Sequence, residues 1–551
     1  MTALASVRRT EIDGVPVFWV DSGRPTLTAH LQFRTGSADE TLPTSGLTHL
    51  AQHLALLGLP PRQDREVGGS TGLLRTTFHA NGSVSGVRRF LVDVCEWLDA
   101  PDLSRVQSEG SVLRQELEAT DRSPHALALL RRYGAAGPGL VGFRQPALHG
   151  ASPDAVRRLL HAWFTRGNAA LVLDGPPSEG FRLPLRDGPR RPVPPLPVTG
   201  DPRPAAFVAD DTMSVSGEVP HTPVASVLPE LLQRAIERDL VELRDPVWAT
   251  YESVGPQSAV VVAGFRVARP LMDQVVEYTH GALETLCRNG PDPQVLAEVV
   301  AAAVRRLEDP DNVVHLADAA ASDHLDGRAA PGPSSYRRAL TEVTVDDVRE
   351  VAEGFAASLL LGVPAEATWR EGVPLLTGST PQDRPRGRSH RSHEAPADRR
   401  RLVVGDGSIH IGHGRSWQGV RLGEVAAVLA APDGGREVVA ADGWTMTLEP
   451  TMWRSGDQAV ARVDGAVPAE RVVPLPERRP EEVPRPRALR HRWAGLPHLF
   501  TGLVVAAAVA LVVLAVVSGR LVFVAAAVIG GLIVVTLVAT RGSDSRLDSA
   551  A

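Results

Sequence analysis

Residues 36–58 read GSADETLPTSGLTHLAQHLALLG. Thr44 or Ser45 is placed to cap a helix that begins near Gly46. On that helix His49 and His53 are four residues apart, so both imidazoles project from one face. This spacing suits two nitrogen ligands on one zinc ion. On its own the pair decides nothing, because the chain has 17 His and most histidine pairs at this spacing are solvated or satisfied locally.

Working outward, the order of motifs adds information. Gly68-Gly69-Ser70-Thr71 forms a glycine-serine turn downstream of the helix. An apolar helical run at 90–98 is followed by Pro101 and then by EGSVLRQE at 109–116. Its two glutamates, Glu109 and Glu116, are about two helical turns apart and share a face. A solvated helix face is the plain alternative for that pair. Leu171-Val172-Leu173 reads as a strand. Further on come RDPVWATY at 244–251, where a surface ion pair and a half-buried aromatic are the plain alternative, and TVDDV at 344–348.

Taken together, residues from about 10 to 365 resemble the pitrilysin/insulinase metallopeptidases, whose inverted zinc motif is H-x-x-E-H. The fold class this implies is α+β, with two related α/β peptidase-type domains, each an antiparallel-rich sheet with helices packed on it. It implies Zn2+ as cofactor, with His49, His53 and Glu116 as metal ligands and Glu109 as the supporting carboxylate. It also implies that Arg244 and Tyr251 face the substrate. Enzymes of this family enclose an extended peptide between two halves. The chain supplies one half, so the resemblance implies a homodimer or a second peptidase-like subunit.

One departure bears on function. Gln52 stands at the position of the family's catalytic glutamate. A carboxylate there takes a proton from metal-bound water and returns it to the leaving amine. An amide of nearly the same shape has no basic lone pair at neutral pH. Loss of a positioned general base costs on the order of 10²–10⁴ in rate. The spacing from His53 to Glu116 is shorter than the family's. Gly72-Leu73 replaces its Asn-Ala pair, and Asp245-Pro246 between Arg244 and Tyr251 is unusual. The expectation is a catalytically impaired, peptidase-like protein acting as a non-catalytic subunit or a peptide-binding scaffold. The alternative is an active zinc metalloendopeptidase using another carboxylate, Glu109, as base. In a third reading the C-terminal parts do the work and the peptidase-type domains serve as an interaction surface.

Composition frames these readings. With 551 residues the chain has room for several domains. A net charge of −6 argues against a nucleic-acid partner, and two cysteines exclude a disulfide framework. The expected organisation is a first peptidase-like domain at 1–182, a proline-rich exposed linker at 183–204 and a second such domain at 205–372. A disordered tether at 373–400 then leads to a small β domain at 401–476, which resembles a pleckstrin-homology barrel, and to a basic juxtamembrane segment at 477–498. Residues 499–517 and 521–540 carry no charge, and each is long enough to cross about 30 Å of hydrocarbon as a helix. A transmembrane hairpin at 499–540 with a tail at 541–551 is therefore expected. Arginines at 485, 487, 490, 492, 541 and 546 flank it, which predicts a multi-pass cell-membrane protein whose N-terminal part and C-terminus are both cytosolic.

Overall fold

The computed structural model describes residues 6–60, 64–119, 123–239, 246–268, 272, 274–329, 331–367, 372–378 and 385–486. The first domain contains β1 (Arg8–Ile12), β2 (Val15–Trp19), β3 (Leu27–Phe33), β4 (Arg65–Thr71), β5 (Thr76–Gly82) and β6 (Ala169–Leu173). They form one sheet in the order β1-β2-β6-β3-β5-β4. Its helices are α1 (Leu47–Leu57), α2 (Val84–Asp99), α3 (Val106–Ala119), α4 (Pro124–Tyr133) and α5 (Pro153–Trp163). Ser83, Ser123 and Ser152 cap α2, α4 and α5 by accepting a backbone N–H three residues on.

The second domain repeats this plan. Strands β7 (Ala205–Val208), β8 (Thr212–Pro220), β9 (Trp248–Ser253), β10 (Ser258–Arg266), β11 (Leu360–Val363) and β12 (Leu375–Leu376) pair in the order β12-β7-β11-β8-β10-β9. The helices are α6 (Pro223–Ser226), α7 (Leu228–Asp239), α8 (Val275–Asn289), α9 (Pro293–Glu308), α10 (Val314–Asp326), α11 (Pro333–Thr341) and α12 (Val345–Ala357). The sequence motif TVDDV at 344–348 is the capping box of α12, with Thr344 and Asp347 each satisfying the other's backbone N–H. In both domains a late strand inserts between a parallel and an antiparallel neighbour: β6 between β2 and β3, β11 between β7 and β8. Strands β4 and β9 are thus equivalent edges of two related sheets.

Strands β6 and β10 are apolar and buried on both faces, so each sheet needs cover on both sides. In β6, Ala169, Leu171 and Leu173 join the core shared with α1, α2 and α5, while Ala170 and Val172 point the other way. That second face is covered by Leu316, Ala317, Ala321 and Leu325 of α10, a helix of the second domain. The arrangement is reciprocal. In β10, Val261, Ala263 and Phe265 face the second domain's own helices, whereas Val260 and Val262 pack against Ala128, Leu129 and Tyr133 of α4. Each domain therefore lends one helix to the other's sheet.

Polar contacts fix the two lent helices. Asp318 of α10 accepts from His30 Nδ1 at 2.8 Å and from Gln32 Nε2 at 2.9 Å, both on β3. Arg132 of α4 is buried and donates to the carbonyls of Ser216 at 2.6 Å and Ser358 at 2.9 Å. Tyr133 donates to Glu218 at 3.0 Å.

The β domain comprises β13 (Arg388–Arg391), β14 (Arg401–Val404), β15 (Ser408–His413), β16 (Ser416–Arg421), β17 (Val425–Ala430), β18 (Arg436–Ala440), β19 (Thr445–Leu448), α13 (Gly456–Ala466) and β20 (Val472–Pro474). Among the described residues these make two four-stranded sheets, β13-β14-β15-β16 and β19-β18-β17-β20, around one core that α13 closes. This domain docks on the first: Ala427, Val439 and Val473 meet Leu42, Ala135 and Leu140, and the Arg131 guanidinium lies 3.6 Å from the centre of the Trp444 ring. Residues up to 392 and 399–483 form one compact unit. Of the other described residues, 393–398 and 484–486 belong to another, in which 393–398 is a succession of turns.

Two segments differ from expectation. The stretch 183–204 carries no helix or strand, yet it is not an exposed spacer: Leu183 and Leu185 are buried in the first core. The carbonyl of Pro192 accepts from Arg34 at 3.3 Å. The stretch 373–400, expected as a disordered tether, contains β12, paired with β7, and β13, paired with β14. Composition misled in both cases, because proline and arginine content says nothing of an apolar residue that finds a pocket or a strand that finds an edge. No helix among the described residues is long and apolar enough to cross a membrane. The spans at 499–517 and 521–540, and most of the basic segment before them, lie outside the described residues.

Arg132→Leu should destabilise the protein by about 3 kcal/mol, because two buried carbonyls lose a charged donor. Urea denaturation with limited proteolysis checks this. A loss below about 0.5 kcal/mol would show that α4 is held by its apolar face alone.

Candidate functional site

Helix α1 carries the motif residues, and its position is fixed by the acidic pair just before it. Asp39 takes the fully buried Arg34 guanidinium at 2.7 Å and the Gly36 N–H at 2.9 Å. The neighbouring carboxylate, Glu40, accepts the N–H of Gly46 at 2.8 Å and of Thr48 at 2.7 Å. It therefore satisfies donors at the start of α1 that otherwise have no partner. The expected cap, Thr44 or Ser45, does not serve: the N-cap is Gly46, at φ 103°, with no side-chain bond, while Thr44 closes its own turn onto Thr41. Side chains rarely adopt that φ, and a Cβ on Gly46 would also lie 2.7 Å from Gln145 Cβ.

That close approach of Gln145 orients the first histidine. His49 Nδ1 donates to Gln145 Oε1 at 3.1 Å. His53 Nδ1 pairs with Glu109 Oε1, also at 3.1 Å. The two rings meet edge to face, 4.7 Å between centroids. Burial, ahead of the electrostatic effect of His53, holds His49 below the ordinary histidine range, so its ring is neutral at neutral pH. With both Nδ1 atoms engaged, Nε2 is the nitrogen each ring has left to offer a ligand. Gln52 is buried between α1 and β4, where its amide nitrogen would lie 2.8 Å from a Cβ on Gly69. Glycine at 69 is what lets that side chain reach the strand.

Glu116, the third expected ligand, has an exposed side chain, and its charge acts on His49. Helix α3 meets α1 where Glu109 reaches His53, and Glu116 lies two turns further along that helix. Its orientation is locked by Gln107 donating to the Ala151 carbonyl at 2.6 Å and Arg114 to that of Leu148 at 2.7 Å. Among the described residues no group of three or more His, Cys, Asp or Glu is placed to hold a metal ion. A catalytic zinc takes three protein ligands besides water, and the two imidazoles supply two. What remains is a pair of oriented imidazoles, one backed by Glu109, beside an edge strand whose outer backbone groups are open to pairing with another strand.

Arg244 lies outside the described residues. Tyr251 is on β9, with its ring 5.5 Å from that of His221. It lines a cavity whose walls do not include His49, His53 or Glu109. Sequence reasoning missed Glu40 and Gln145. Glu40 was visible as part of the acidic stretch, but nothing in the sequence signalled Gln145, which reaches α1 only through the turn before residues Pro146–His149.

No family model and no curated protein matches the chain. Solved structures do. A protease from Helicobacter pylori superposes with a TM-score of 0.55 at 16% identity, covering 65% of this chain and 99% of that one. A putative M16-like peptidase from Alicyclobacillus acidocaldarius gives 0.51 at 15% identity, over 66% and 100%. A peptidase M16 inactive domain from Pseudomonas fluorescens gives 0.51 at 14% identity, over 66% and 99%. At these identities the likeness establishes a peptidase M16-like fold for the two related domains.

Burial pushes the Glu40 carboxyl from 4.5 up to about 7, against the two N–H groups that pull it down. The folded chain thus holds this proton more tightly than the unfolded one. Stability from this group is full below about pH 4.5 and is lost as pH rises through 7, by on the order of 3 kcal/mol. Denaturation midpoints measured from pH 5 to 8 should fall accordingly, and Glu40→Gln should flatten the profile. An unchanged slope in that variant would remove Glu40 from the account.

Proposed function

We propose that this chain is a membrane-anchored, peptidase-like protein that holds an extended peptide or a partner subunit without hydrolysing it. The observation that carries this reading is Gln52. Its amide is buried against the edge strand at Gly69, and the resemblance puts it where hydrolysis needs a base. The donor set argues the same way, since among the described residues no third His, Cys, Asp or Glu is grouped with the two imidazoles to hold a metal ion. The likeness to an M16 domain described as inactive is in keeping with this reading.

Binding asks less of the site than cleavage does. Strand addition to β4 needs only open backbone groups, and pockets beside them add selectivity. In the proposed arrangement the oriented imidazoles, Gln52 and Glu109 form a polar wall along that edge. A second copy or a different peptidase-like subunit would supply the opposite wall, and the hairpin at 499–540 would tether the assembly with both chain ends in the cytosol.

Full-length protein should cleave no unstructured peptide library detectably and should retain less than one zinc per chain after dialysis. Gln52→Glu should remain silent as well, because among the described residues no third donor is grouped with the two imidazoles to hold a metal ion. Turnover by the unmodified chain that a chelator abolishes would overturn the proposal, and turnover gained only in Gln52→Glu would overturn the argument about the third donor. A reporter fused after Ala551 should behave as cytosolic; an exported reporter would exclude the hairpin.

A further inference from the structure

A second feature of the structure lies away from α1, where the two peptidase-type domains meet. A cavity of about 1080 Å³ opens between β1 and β2 of the first domain and β9, α10 and α11 of the second. Pockets that take small organic ligands span roughly 300–1,000 Å³ and combine an apolar wall with a few convergent polar groups. This cavity has both parts. Phe18, Leu307, Leu316, Pro333 and Leu340 supply the apolar wall.

The polar part is short of acceptors. Arg328 Nη1 and His221 Nδ1 are buried without hydrogen-bond partners, and the Tyr251 hydroxyl is buried with no acceptor for its proton. All three residues line the cavity. They are close together: the His221 and Tyr251 rings are 5.5 Å apart, and the Arg328 charge acts on both. The one carboxylate in the lining, Asp323, is already paired with the other terminal nitrogen of Arg328. Arg75 and Arg306 also line the space, each held by an acid outside the lining, Asp326 and Glu230. Arg9 adds a further positive charge, stacked 5.5 Å from the centre of the Phe18 ring. Burial and the charge of Arg328 push His221 down to about 4, so the ring is a neutral imidazole with a proton to place on either nitrogen.

Buried donors without acceptors are costly, and a charge-assisted bond to an anion repays that cost where water alone repays less. We propose that this interdomain cavity binds a small organic anion, a carboxylate or a phosphate monoester carried on an apolar body. The head would accept from Arg328, Tyr251 and His221, and the body would lie against Phe18 and the apolar residues of α10 and α11. Because its walls come from both domains, such a ligand would favour the docked arrangement by mass action. This inference goes beyond the proposed function, and neither depends on the other.

The test is calorimetric titration of the full-length chain with 1-naphthyl phosphate and 1-naphthoate, alongside 1-naphthol as the uncharged counterpart and inorganic phosphate as the head alone. One or both naphthyl anions should bind at one per chain, at least tenfold tighter than either control, and the tighter of the two identifies the head group. Arg328→Gln should weaken that binding at least tenfold. Ala319→Trp, at an exposed position on the cavity wall, should block it while Arg328 stays in place, and circular dichroism confirms that both variants fold. Equal affinity for 1-naphthol, equal affinity for inorganic phosphate, no binding by either naphthyl anion, or full affinity in folded Arg328→Gln would each overturn the proposal.

Discussion

A sheet that holds a strand apolar on both faces, as β6 and β10 are, cannot stand with one face in water. That constraint organises the two peptidase-type domains. Each has helices of its own for only one face of its sheet, so each takes a helix from the other. Asp318 reaches His30 and Gln32 from α10, and Arg132 reaches Ser216 and Ser358 from α4. These contacts sit at the centres of the borrowed faces, where an unpaired charge would cost several kcal/mol. Apolar cover supplies the driving force, and the polar contacts set the register in which the lent helices lie.

The same exchange shapes both functional features. With the first sheet covered on both sides, α1 is clamped between β4 and α3, and its start is held by Glu40 from inside the fold. A carboxylate buried that far from water is tolerated because two backbone N–H groups meet it. The imidazoles inherit that rigidity, with Gln145 and Glu109 fixing their tautomers. The interdomain cavity is the complement of the exchange: where α10 and α11 turn away from β1 and β2, packing stops and buried donors are left facing the gap.

The fold was legible where pattern and physics coincide. Leu27–Phe33 alternates apolar with polar residues at the period of a strand, and Thr344 with Asp347 announces a helix start through local hydrogen bonds alone. The site was legible in part. The four-residue spacing of His49 and His53 forces them onto one face whatever surrounds them. Glu109 and Glu116 share a face for the same reason, but sharing a face does not say which of them meets a neighbouring helix. That depends on where α3 crosses α1, which Gln107 and Arg114 determine through carbonyls about 35 to 45 residues away in the chain.

By itself the sequence determined what local rules control: the helices and strands, the pairing of imidazoles on α1, the amide at position 52, and two long uncharged stretches near the C-terminus. Tertiary structure alone decided what long-range packing controls. Glu40 rather than Thr44 holds the start of α1, Gln145 orients His49, and Tyr251 lines a cavity with His221 and Arg328. The physical reason is distance along the chain. Periodicity and capping act over a few residues and leave a record in composition, whereas a contact between residues tens or hundreds apart exists only once every intervening element has been placed.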